Sequence, residues 1–205
     1  MKKIMFDDRF GLTQAVLDGR KTMTRRVIPA KAIEYILGEF KQEYFEATLD
    51  VFDSDKKYIE QYYLVEKCGK CFRPGDIVAV AQSYRDIYDL LPDDLGPLRV
   101  SNGYLHESCG WTNKMFVLPH VMPHQIRITN VRVERLQDIS DEDCLREGIV
   151  KALGLYGCEG VCERGDQLFF CNPREAFASL ITKMAGKKAW DDNPWVFVYE
   201  FELIR

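Results

Sequence analysis

The chain has 205 residues, 46% of them hydrophobic and 29% charged, with 28 lysines and arginines against 32 aspartates and glutamates for a net charge of −4. This ordinary globular composition fits one domain able to bury its own core, and it excludes a disordered chain, a collagen-like chain and a coiled coil. The net acidity also excludes a binder that is basic over its whole surface, so an anion site has to be a local patch.

No apolar run reaches the ~18 residues of a membrane span. Asp7 and Asp8 interrupt any signal-peptide pattern near the N-terminus, so a cytoplasmic location without membrane contact is expected. In that compartment the seven cysteines are expected as free thiols.

In chain order, residues 11–20 read as a short helix with Leu12, Ala15 and Val16 on one face and Gly19 as its stop. A strand follows from Thr22 to Ile28. Thr22, Thr24 and Arg26 share one face, and Met23, Arg25 and Val27 the other, so neither is a clean core face. A second helix is expected over residues 30–45 and an aromatic strand near Tyr62 to Val65. Pro74-Gly75-Asp76 predicts a turn into the apolar strand Ile77 to Ala81. Residues 84–113 read as one long loop, followed by a short strand from Met115 to Leu118.

Residues 126–134 form a long predicted strand whose apolar parity switches near Thr129-Asn130, the mark of a β-bulge or sharp bend. Ser140 caps the next helix, with Asp143 in the capping-box position, Ile139 stapled to Cys144, and Gly148 as the stop. Residues 151–171 read as loop. Asn172-Pro173 opens a helix that buries Phe177, Leu180, Ile181 and Met184 and ends at Gly186. An alternating strand from Trp195 to Leu203 closes the chain. The sum is an α+β chain, best fitted by a small, partly open β-barrel with packed helices.

The densest chemical signal is Gly19-Arg20-Lys21-Thr22-Met23-Thr24-Arg25-Arg26, which sets four cations and no acid beside two hydroxyls. A lysine at a helix-to-strand joint can bend back over the face that carries Thr24. An amine beside a hydroxyl is an activated nucleophile when burial or neighbouring cations depress the lysine's pKa. Two other readings stay open on spacing alone: a solvated basic strand answered by acids such as Asp7, Asp8 or Asp18, and a phosphate-gripping patch.

Gly19-Arg20-Lys21-Thr22-x-Thr24-x-Arg26 after a short helix resembles the signature of the ASCH domain family. Gly75-Asp76-Ile77-Val78, the strand and helix over Ile126 to Glu147, and the closing Val198-Tyr199-Glu200-Phe201 resemble further family segments in the same order. The resembling segments, 4–28, 72–82, 124–150 and 177–205, cover about half of the chain. The whole is most similar to the longer phage- and prophage-encoded members, with insertions at about 29–71, 83–123 and 151–172.

The resemblance implies a PUA-like barrel and a cleft for a nucleoside, a nucleotide or RNA, with no cofactor. It further implies an amidohydrolase that removes the acetyl group from acetylated cytidine by a lysine, a threonine and a glutamate. By motif these fall on Lys21, Thr24 and Glu147. Arg20, Arg25 and Arg26 become candidate ligand contacts. Two alternatives remain: a non-catalytic RNA-binding module, and a phage or prophage interaction protein with a vestigial cleft.

Outside that motif, Trp111, Asn113 and Lys114 offer a ring to stack on a base and polar groups to read its edge, or else a loop anchor. Cys68 and Cys71 form a C-x-x-C, and Cys158 and Cys162 a looser pair. Together they could make a four-thiolate zinc site, but free thiols are the plainer reading and no metal is expected. Of His106, His120 and His124, the last two flank a Pro-containing turn and could touch a ligand, but a loop histidine with no paired acid nearby is more often surface, so the three carry little weight.

Overall fold

The computed structural model describes residues 1–29, 71–90, 105–158 and 169–204. The expected helix over 30–45 and strand near 62–65 lie outside these residues.

Five strands form one mixed sheet in the order β1-β3-β4-β7-β2, built from β1 (Lys2–Ile4), β2 (Met23–Val27), β3 (Ile77–Val80), β4 (Gln125–Arg135) and β7 (Trp195–Ile204). β1 and β3 run parallel, and the other pairs are antiparallel. A hairpin of β5 (Ile149–Ala152) and β6 (Leu155–Cys158) makes a second, two-stranded sheet. The helices are α1 (Leu12–Leu17), α2 (Tyr84–Ile87), α3 (Asp141–Arg146), α4 (Pro173–Ala185) and α5 (Lys187–Asp191). The architecture is thus α+β, and the sheet is not closed into a barrel: among the described residues, its edge strands β1 and β2 do not pair with each other. Across that opening the Arg26 Nη2 donates to the Met5 carbonyl at 2.5 Å. None of the described helices is long and apolar enough to cross a membrane.

The long β4–β7 pair is the spine. Its register shifts between Ile128 and Asn130, at the predicted switch of parity. The extra residue turns Ile126 and Ile128 on one side of the bulge, and Val131 and Val133 on the other, into the same core. Phe6, Val16, Met23, Phe177 and Phe197 complete that core. A smaller cluster gathers Ala79, Ala81, Tyr84, Ile87, Val117 and Met122.

The caps hold as read. Ser140 Oγ accepts from the Asp143 amide at 3.1 Å, the Asn172 side chain accepts from Arg174 N, and Gly186 sits at φ +87. Three assignments, two loops and a strand, need correction. Residues 84–113 are not plain loop: Ser83 caps α2, whose Tyr84 and Ile87 are buried. Met115 to Leu118 is not a strand, because the Asn113 side chain accepts from Met115 N and bends Lys114–Phe116 into a 3-10 turn. Residues 151–171 are not plain loop: they begin with the end of β5 and all of β6, the hairpin turning at Leu153 (φ +51) and Gly154 (φ +82). Paired left-handed residues suit a tight hairpin, but leucine at the first of them is unusual, so the turn left no sequence signal.

Candidate active-site cleft

Two chain reversals bring the site together. α1 ends at Gly19 (φ +74), and the amides of Arg20 and Lys21 both fold back onto the Ala15 carbonyl at 2.9 and 2.8 Å. Lys21 is thereby fixed between α1 and β2. α3 ends at Glu147, its C-cap, followed by Gly148 at φ +104. The Lys21 ammonium donates to the Glu147 carboxylate (Oε2) at 2.6 Å and to the Glu147 carbonyl at 2.6 Å. Only 2% of Lys21 and 4% of Glu147 is exposed.

This arrangement answers the electrostatic problem posed by a glutamate at a helix C-terminus. One ammonium meets both the side-chain charge and an end carbonyl that the helix cannot satisfy itself. Burial holds the Lys21 ammonium below the ordinary lysine value; Glu147 opposes that shift, and Arg26 and Arg25 add to it.

Gly148 lets the two elements approach. A Cβ there would lie 3.1 Å from Leu12 Cδ2 and 3.6 Å from Lys21 Cδ, on backbone that disfavours any other residue. Gly148→Ala is expected to cost about 1–2 kcal/mol through the left-handed backbone alone. Urea unfolding checks this, and an unchanged midpoint would contradict it.

β2 splits its cations between two sides, as its alternation requires. Arg25 turns inward with Met23. Its Nε and Nη2 donate to Glu134 Oε1 at 2.9 and 2.5 Å, its Nη2 to Asp143 at 2.9 Å, and its Nη1 to Glu147 Oε1 at 3.1 Å. Arg132 joins Asp143, Glu134 (3.1 Å) and Glu200 (2.5 Å), and Arg146 reaches Glu200 at 2.8 Å. Lys21, Arg25, Arg132 and Arg146 thus face Glu134, Asp143, Glu147 and Glu200, four charges against four. Asp143 is therefore not the reciprocal half of a capping box: its carboxylate serves Arg25 and Arg132. Arg25, expected to meet a ligand, has its charge met from within.

On the other side lies a cleft of about 450 Å³. Lys21, Thr24, Arg26 and Glu147 line it together with Phe6 and Leu12, and α4 supplies an apolar wall of Phe177, Leu180, Ile181 and Met184. Thr24 is 5% exposed. Lys21 Nζ and Arg26 Cζ stand 5.7 and 5.9 Å from the Phe6 ring centre. The three residues expected as catalytic therefore share one cleft. Among the described residues, both hydrogen bonds of the Lys21 ammonium go to Glu147, so Lys21 is held by the glutamate rather than by the Thr24 hydroxyl.

The remaining candidates divide. Lys114 lines the cleft, where it donates to the Phe6 carbonyl and to Thr13 Oγ1 (3.1 Å) and pairs with Asp8 at 2.7 Å. Arg20 pairs with Asp18 at 3.0 Å and does not line it. Trp111 packs against the second cluster, edge-on to Tyr88 and His106, and so anchors its loop. Asn113 caps its own turn. His124 meets Gln82 at 2.7 Å, and burial lowers its pKa. Cys71 is buried and Cys158 half-buried; Cys68 and Cys162 lie outside the described residues. Among the described residues no group of three or more metal-binding side chains occurs. Burial pushes the Cys144 thiol up to about 12, consistent with its place in the core.

Sequence reasoning missed Phe6 as a cleft residue; the predicted buried face of α4 holds, with Ile181 and Met184 partly buried against the core, and the same face walls the cleft. Comparisons with family models, with curated proteins and with solved structures give no match.

Proposed function

We propose that the chain is an ASCH-type protein with a PUA-like fold that hydrolyses the amide of an acylated nucleobase, with acetylated cytidine as the type substrate. The observation that carries this reading is the buried Lys21–Glu147 pair in the same cleft as Thr24, the residue types and positions that the resemblance assigns. The Arg26–Met5 hydrogen bond across the two sheet edges supports a partly open barrel. An apolar wall opposite polar groups suits a flat base carrying an acyl group.

The chemistry follows from the pair. Burial disfavours the Lys21 ammonium, and loss of its proton to solvent leaves an amine beside the Glu147 carboxylate, which lies at 2.6 Å. In the amine form Lys21 accepts the Thr24 proton as the hydroxyl oxygen attacks the acyl carbon. Collapse of the tetrahedral intermediate breaks the carbon–nitrogen bond, and the Lys21 ammonium returns its proton to the leaving exocyclic amine. Water, deprotonated by Lys21, then attacks the acyl ester; the bond to Thr24 breaks, the Lys21 ammonium returns its proton to the Thr24 oxygen, and the acetic acid released loses its proton to solvent. Arg25 holds the second Glu147 oxygen and keeps the carboxylate turned toward Lys21.

The test is turnover of acetylated cytidine across pH. The active form carries Lys21 as amine, so kcat/KM rises with pH, by about tenfold per unit on the limb, and levels off below the ordinary lysine value of 10.5. No turnover at any pH overturns the reading. A rise that continues through 10.5 overturns the role of Lys21.

A further inference from the structure

Five cations line the cleft: Arg9, Lys21, Arg25, Arg26 and Lys114. Three carboxylates line it with them, Asp7, Asp8 and Glu147. Arg9 pairs with Asp7 at 2.6 Å, Lys114 with Asp8 at 2.7 Å, and Lys21 with Glu147 at 2.6 Å. Arg25 is answered a second and third time by Glu134 and Asp143, behind the cleft wall. Arg26 is different. Its hydrogen bond runs to a backbone carbonyl, and among the described residues no carboxylate pairs with it. It is exposed to solvent and lines the cleft, with its guanidinium above the Phe6 ring. A guanidinium has five N–H donors, of which the Met5 carbonyl takes one.

We infer that Arg26 is the anion-recognition residue of the cleft and that the substrate is a phosphorylated nucleoside, an acylated mononucleotide whose phosphate sits on Arg26 beside the base on Phe6. This rests on the proposed hydrolysis for the acyl group, but the charge count alone calls for an anion. A planar, permanently charged fork matches phosphate oxygens in pairs. The cleft's volume suits a single nucleotide. Longer RNA would need further cations beyond the cleft, and Arg20 and Arg25 are already paired with acids.

The test uses the full chain in two arms. Calorimetric titration with cytidine 5′-monophosphate, cytidine, inorganic phosphate and a short cytidine-rich RNA measures binding. Kinetics with acetylated cytidine and its 5′-monophosphate measure KM and kcat. The monophosphate should bind about tenfold or more tightly than cytidine, and the preference should appear in KM rather than kcat. Arg26→Gln should bring the ratio of the two affinities close to one, Arg26→Lys should keep part of it, and added salt should shrink it. Equal binding of cytidine and its monophosphate overturns the inference, as does a preference that survives Arg26→Gln. RNA binding tighter than the mononucleotide overturns the mononucleotide assignment. If both acetylated compounds are hydrolysed with the same KM, the phosphate fails and the hydrolysis stands. If neither is hydrolysed but monophosphate binding depends on Arg26, the hydrolysis fails and the anion site stands.

Discussion

Thr24→Ala is expected to reduce turnover of acetylated cytidine by about 10³-fold or more, because it deletes the oxygen that forms the acyl intermediate. The protein itself should tolerate the change. Thr24 occupies a β2 position whose backbone is fixed by its partner Tyr199, and the lost atoms face the cleft. An unfolding midpoint within a small shift of the parent would separate chemical from structural loss. Thr24→Ser keeps the oxygen and drops only a methyl group, so it should retain a measurable share of the rate. The measurement is kcat/KM for all three proteins with unfolding curves alongside. A Thr24→Ala protein that works at the parent's rate would remove the nucleophile from the account.

Glu147→Ala should cost about 3–5 kcal/mol of stability, the largest structural effect expected of any change in the cleft. The loss is lopsided. Lys21 stays buried with its ammonium unpaired, and Arg25 loses one of three carboxylates. In a domain of this size that corresponds to a fall in melting temperature of roughly 6–20 °C. Glu147→Gln should cost less, since the amide oxygen still accepts one hydrogen bond. The double variant Lys21→Met/Glu147→Leu removes both charges and should recover most of the loss, because an apolar pair of similar volume replaces a desolvated ion pair at little cost. Urea and thermal unfolding of the three variants check this. Glu147→Ala as stable as the parent would mean that Lys21 reaches water or another acid.

Much of the scaffold was legible because local chemistry and tertiary structure agree. The bulge at Thr129-Asn130 was visible in the parity switch, and Ser140, Asn172, Gly148 and Gly186 marked the helix ends that exist. The hairpin at Leu153-Gly154 was hidden because its turn lacks the usual asparagine or aspartate. Met115 to Leu118 misled because its apolar residues suggest a strand, while one asparagine side chain bends the backbone.

The site was half legible. The motif placed Lys21, Thr24 and Glu147, but the alternation of β2 does not say which of two adjacent arginines meets solvent. That depends on Glu134, Asp143 and Glu147, which come from β4 and α3, far away in sequence. Arg25 and Arg26 look alike as letters; Arg25 is enclosed by carboxylates, and Arg26, among the described residues, pairs with none. Phe6 was unreadable for the same reason, since only the fold lays it beside Lys21 and Arg26.

The central claim is that Lys21, Thr24 and Glu147 form a hydrolytic unit. Its most direct test is to incubate the intact protein, and its Lys21→Ala and Thr24→Ala variants, with acetylated cytidine and to follow cytidine and acetate by chromatography. The account predicts release of the two in equal amounts by the intact protein and loss of that release in both variants while each remains folded. Folded intact protein that leaves acetylated cytidine unchanged, or release that persists in both variants, would contradict it.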